Sequence, residues 1–85
     1  MEIRIFPNPT TGMFQLELPA DWSGRSLTVL ISDLLGRTKL TQVISGNQIM
    51  LGEQLPNGIY HVEILDREGR KLGANRVVKT GINRL

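Results

Sequence analysis

The chain has 85 residues, a formal net charge of +2, one histidine and no cysteine. That length makes one domain with a small core, burying only about 60–65% of the unfolded surface, with a net stability of order 5–10 kcal/mol. Without cysteine there is no disulfide, thiol nucleophile or thiolate metal site, and no apolar run approaches the ~18 residues that span a bilayer.

Charge is unevenly spread. Residues 1–57 carry four basic and five acidic side chains, whereas residues 58–85 carry six basic and three acidic ones. A mildly basic final third either favours an anionic surface or is a set of solvated strand-edge charges, and the second is the plainer reading. Met1-Glu2-Ile3-Arg4 lacks the layout of a signal peptide. If the chain is exported, its signal lies upstream, and Met1 is then only a start codon added to an excised domain.

In chain order, a first strand (Ile3 to Phe6) enters the corner Phe6-Pro7-Asn8-Pro9-Thr10-Thr11-Gly12. Pro7 and Pro9 fix φ, Asn8 before a proline is pushed to extended backbone, and Gly12 takes positive φ without steric cost. A second strand (Met13 to Leu18) leaves it, with Phe14, Leu16 and Leu18 on one face. Truncating Phe14 to alanine should cost ~3–5 kcal/mol. Pro19 stops that strand, and Ala20 to Arg25 forms a loop in which Trp22 plugs one end of the core. Strand three (Ser26 to Asp33) turns Leu27, Val29 and Ile31 inward. Strand four (Arg37 to Ile44) has Leu40 as its surest inward residue. Ser45-Gly46-Asn47 turns again, and Ile49 and Leu51 mark a short fifth strand. In strand six (Gly58 to Asp66), Tyr60, Val62 and Ile64 point one way and His61 and Glu63 the other. Strand seven (Arg70 to Lys79) contains Gly73 as a bulge or break. Residues 80–85 form a loose tail outside a core of 3–79. No segment has a sustained helical period. Seven short strands at ~8–12-residue spacing predict an all-β fold, an antiparallel β-sandwich.

One turn solution appears twice: Asp33-Leu34-Leu35-Gly36-Arg37 and Asp66-Arg67-Glu68-Gly69-Arg70 both read D-x-x-G-R. Aspartate caps such a turn through its carboxylate, and glycine takes the left-handed position. Leu34 and Leu35 are unusual at a turn tip; they either fold back on the sandwich or contact a partner, and folding back is commoner. Leu55-Pro56-Asn57-Gly58 is a third turn. Tyr60, just inside the strand it launches, is placed to bond its hydroxyl back to nearby backbone.

Catalysis is not expected. His61 lies on the face opposite the core, and Ser23, Ser26, Ser32 and Ser45 have no evident base and orienter. His61 and Glu63 supply two ligands where a metal site wants three or four. No glycine-rich loop precedes a helix, so no phosphate cradle or other cofactor site is expected. Nucleic-acid binding would need a denser basic patch with exposed aromatics.

Four stretches occur in order: Pro7-Asn8-Pro9-Thr10-Thr11-Gly12 with Phe14 and Leu16; Asp33-Leu34-Leu35-Gly36-Arg37; Leu55-Pro56-Asn57-Gly58-Ile59-Tyr60; and Val77-Val78-Lys79. Together they closely resemble the C-terminal sorting domain of the type IX secretion system of Bacteroidetes, the Por secretion tail, from Ile3 to Lys79. The resemblance implies an Ig-like β-sandwich that acts as a folded address label and is not an enzyme. It implies a cargo domain on the N-terminal side, passage through the periplasm, and recognition by the outer-membrane translocon and its shuttle protein. In many members a cell-surface sortase then removes the tail and joins the cargo to anionic lipopolysaccharide. Pro7, Pro9, Gly12, Gly36, Gly58, Tyr60, Val77, Val78 and Lys79 are the positions it marks for recognition. Family members usually end near Val-Val-Lys, whereas this chain continues through Thr80-Gly81-Ile82-Asn83-Arg84-Leu85.

On the label reading, rigid turns are read without ordering cost. The final strand, if at an edge, offers unpaired backbone for strand addition, Lys79 adds a charge contact, and an open edge also lets two copies pair. The competing readings are a fibronectin-like or carbohydrate-binding accessory module using Trp22 as its platform, and a small enzyme using His61.

Overall fold

The computed structural model describes residues 3–22, 24–44, 48–50 and 55–81. The turn expected at Ser45-Gly46-Asn47, together with Leu51, Ser23 and the tail from Ile82 onward, lies outside the described residues.

Seven strands form: β1 (Arg4–Phe6), β2 (Met13–Glu17), β3 (Leu27–Ser32), β4 (Thr38–Ile44), β5 (Gln48–Met50), β6 (Gly58–Leu65) and β7 (Lys71–Lys79). They make two antiparallel sheets, one ordered β1-β2-β5 and the other β4-β3-β6-β7. This is the expected β-sandwich. The period-two pattern explains it, because each strand presents alternate apolar residues to the other sheet. Ile5, Phe14 and Leu16 come from the first sheet; Val29, Ile31, Val62, Ile64 and Val77 come from the second, and all are buried. Leu18 is half-buried against them.

Two local details differ from the sequence reading, and a third, Trp22, is as expected. Ala20–Trp22 is a single 3-10 turn, not loop, closed by Trp22 N–H donating to the Pro19 carbonyl at 3.0 Å. Its aromatic ring is buried in the core, so it is a plug and offers no platform for a sugar. In β4 the buried residue is Ile44, while Leu40 is only half-buried, because β4 is the outer strand of its sheet.

Both long hairpins carry a bulge at the same offset from their turn. Ile31 pairs with Leu40 and Ser32 with Thr38, leaving Lys39 extra. Ile64 pairs with Gly73 and Leu65 with Lys71, leaving Leu72 extra, next to the glycine expected to mark the break.

Candidate recognition surface

The proline corner is the loop between β1 and β2, yet it bonds to β7 in the other sheet. Both of its X-Pro bonds, Phe6-Pro7 and Asn8-Pro9, are cis. Neither proline can donate a backbone hydrogen bond. The side chain of Asn8 supplies what they lack: its Nδ2 donates to the Arg76 carbonyl and its Oδ1 accepts from Val78 N–H, both at 2.9 Å. Thr10 continues the seam with main-chain groups, its N–H donating to the Val78 carbonyl and its carbonyl accepting from Thr80 N–H, both at 2.8 Å. Its hydroxyl donates to the Met13 carbonyl at 2.6 Å and accepts from Gly12 N–H at 3.1 Å, which locks the loop. At the other end of the seam, Ile3 N–H donates to the Ala74 carbonyl at 3.3 Å and Asn75 Nδ2 donates to the Ile3 carbonyl at 2.5 Å. Asn75 Oδ1 takes up Arg76 N–H at 2.7 Å.

The outer edge of β7 is therefore closed from the Ala74 carbonyl to Thr80 N–H. The expectation that the last strand offers free backbone for strand addition does not hold. Asn8, Thr10 and Asn75 do this work; the sequence reading gave Asn8 and Thr10 only as parts of the corner, without a bonding role, and did not name Asn75. The signal was an asparagine held between two prolines, a place where a side chain must replace missing donors. Thr80, expected to begin the loose tail, is still tied to Thr10.

Lys79 is also placed differently from the sequence expectation. It is only 6% exposed, and its Nζ donates to the Leu55 carbonyl at 2.7 Å. It pairs across the strands with Gly58. Its aliphatic stem passes Gly12, where an added Cβ would sit 3.9 Å from Lys79 Cε; the firmer constraint on Gly12 is its φ of +149°. An ammonium so enclosed makes no surface charge contact. Instead it ties β7 to the corner and to the Leu55-Pro56-Asn57-Gly58 turn.

Tyr60 completes that turn. Its ring is buried, it pairs with Val77, and its hydroxyl donates to the Pro56 carbonyl at 2.5 Å, the expected corner. Burial raises its pKa above the ordinary 10.0, and the nearby charge of Asp33 adds to the shift.

The Asp33 turn reaches the same end. Asp33 Oδ1 accepts from Leu35 N–H and Arg37 N–H at 2.9 Å each, and Oδ2 accepts from Arg37 Nε at 2.8 Å. The Arg37 backbone N–H is the main reason its carboxyl titrates below the ordinary range; partial burial opposes this, and the Arg37 guanidinium adds to the lowering. Gly36 sits at a φ of +85°. The turn does not fold back on the sandwich: Leu34 is 68% and Leu35 78% exposed. Together with Pro56 and Ile59 they border a shallow groove of about 280 Å³.

Thus Gly58, Tyr60, Val77, Val78 and Lys79 come together with Gly12 at one end of the sandwich, with Pro7 and Pro9 exposed beside them, whereas Gly36 borders a second groove on the outer face of the sheet. Val77 is wholly buried and Val78 half-buried. His61 lies on the outer face, its Nε2 3.5 Å from Glu63 Oε2, which also faces Lys71 Nζ at 3.6 Å, and it shares a groove with Asp33, Leu34 and Gly36. Among the described residues no cluster of three potential metal ligands occurs, and no helix is long and apolar enough to cross a membrane.

Fold and site define a two-sheet β-sandwich in which the proline corner, the end of β7 and the Pro56 turn are bonded together at one end, with the Asp33 turn beside them. The profile of the secretion system C-terminal sorting domain matches residues 4–79, and the chain belongs to that family. Its function is that of the family: a sorting signal that directs cargo through the type IX secretion system and out across the outer membrane. The family is one of sorting signals and not of enzymes. No curated protein matches the chain significantly.

Proposed function

We propose that the export machinery reads this domain at the end where its four motifs converge. Cargo joined to the domain waits in the periplasm, the shuttle protein and translocon bind the folded end, and a sortase acts at the cell surface after export. The domain itself catalyses nothing in this scheme. The observation that carries the reading is the division of labour within the motifs. Tyr60, Val77 and Lys79 are enclosed and, with the half-buried Gly12, hold the shape, while Pro7, Pro9, Leu34, Leu35 and Pro56 are displayed. A surface fixed before docking loses little ordering entropy on binding.

The test is a reporter carrying its own signal peptide and ending in this domain, expressed in a Bacteroidetes host with and without the translocon. Reporter in the medium or on the cell surface only when the translocon is present supports the proposal. Reporter held in the periplasm of both strains overturns it. Removing Val77 to Leu85 is the wrong variant, because it takes away core and seam together. Leu34→Asp with Leu35→Asp leaves both in place.

A further inference from the structure

The four-stranded sheet has two edges, and they are treated oppositely. That of β7 is sealed by the corner. Among the described residues, nothing but β3 bonds to the main chain of β4. Alternate residues of β4 therefore direct their N–H and C=O groups outward. Val43, on the outer face of this strand, is 69% exposed.

Basic side chains stand at both ends of this open edge. A groove of about 310 Å³ at one end is lined by Arg25 beside Val43 and Ile44. At the other, Asp33, Arg37 and Lys39 line the groove under Leu34 and Leu35. Asp33 is already engaged by Arg37 at 2.8 Å and approached by Lys39 at 3.9 Å. Lys39 is also the bulged residue. A bulge and a lysine are devices by which an edge strand repels copies of itself. Two-fold antiparallel pairing about Thr41 would bring Lys39 of each copy against Val43 of the other, where Arg25 stands, so like charges would meet twice.

From these features we infer that β4 accepts one extended strand of a partner, with acidic and apolar side chains in alternation, and excludes a second copy of this chain. This rests on the sorting reading and names the kind of segment that the export machinery would present. The added strand extends the sheet by main-chain hydrogen bonds; its apolar side chains continue the inward row of Leu40 and Ile44, and its carboxylates stand on the outer face beside Val43, between Arg25 and Lys39.

The probe is an octapeptide of alternating valine and glutamate, capped at both ends, titrated to millimolar concentration against the 85-residue chain. Amide exchange is followed by nuclear magnetic resonance. Outward amides of β4 should be slowed about tenfold, with β7 unchanged. A valine–lysine octapeptide should do nothing, and Arg25→Gln or Lys39→Gln should weaken the response without altering the fold. Protection at β7, no protection anywhere, or equal protection by both peptides overturns the inference. So does a concentration-dependent dimer whose β4 is protected without peptide, which would make the second copy the occupant. None of these results bears on reporter export, which tests the sorting reading separately.

Discussion

At Asp33 and at Asp66 the chain reverses with the same five bonds. In each, aspartate N–H donates to the arginine carbonyl at 2.9 Å and glycine N–H to the aspartate carbonyl at 3.0 Å. Two backbone N–H groups reach Oδ1 at 2.9 Å, and arginine Nε reaches Oδ2 at 2.8 or 3.0 Å. The glycines sit at φ of +85° and +82°. The differences lie elsewhere. The Asp66 side chain is 4% exposed against 15% for Asp33, and its tip is Arg67-Glu68, a charged pair ordinary for solvent. The Asp33 tip is the exposed Leu34-Leu35 pair, next to Tyr60 and Pro56. A framework that works with a polar tip at one end of the sandwich does not need leucines at the other. Those leucines are therefore not explained by folding.

The largest separation between the two turns is expected on removing the aspartates. Asp66→Ala should lower the melting temperature more than Asp33→Ala, since the more enclosed carboxylate leaves more donors cut off from water. Equal losses would show that burial does not distinguish the turns. Acid should act on both. Each carboxyl is held below its ordinary 3.8, first by the backbone N–H of its arginine. A depressed folded pKa contributes stability above the unfolded value that is lost as pH falls through the folded one. The melting temperature should thus hold near neutrality and drop as pH falls below about 4. Asp33→Asn with Asp66→Asn should flatten that fall.

Next come the glycines. Gly36→Ala and Gly69→Ala should each cost about 1–2 kcal/mol, because both force an L-residue into left-handed backbone. Denaturant midpoints differing by more than the error would break the equivalence of the frameworks. Tyr60→Phe, which leaves the Pro56 carbonyl without its donor, should cost about 1 kcal/mol by the same measurement.

A smaller effect separates the turns cleanly. Tyr60 is the single tyrosine, so its ionisation can be followed by ultraviolet absorbance. Burial and then Asp33 raise its pKa, so stability is lost as pH rises past the ordinary 10.0. Asp33→Asn should lower the Tyr60 titration midpoint, and Asp66→Asn should leave it unmoved. Smallest in stability is exchange of the tips. Placing Arg-Glu at positions 34 and 35 should change stability by less than about 0.5 kcal/mol, yet reduce export of a fused reporter. Export at the unmodified level would remove the leucines from the recognition surface.

Strands, turns and the sandwich were legible because they are local. Alternation in Gly58 to Leu65 and the repeated D-x-x-G-R are patterns within a few residues. The seam was not legible, because it joins Asn8 to Arg76 and Val78 across separations of 68 and 70 positions. Lys79 misled for a related reason. A lysine late in a basic stretch reads as surface charge, and only the fold brings the Leu55 carbonyl to it. Which of the motif residues are displayed and which are enclosed depends on the packing of two sheets.

The clasp of Asn8 onto β7 has a temporal consequence. Until β7 has been synthesised, Asn8 and Thr10 have nothing to grip, so a nascent or clipped polypeptide cannot display the finished end. Export that inspects this end would therefore pass only molecules whose translation reached Thr80, which makes the label a proof of completeness as well as an address.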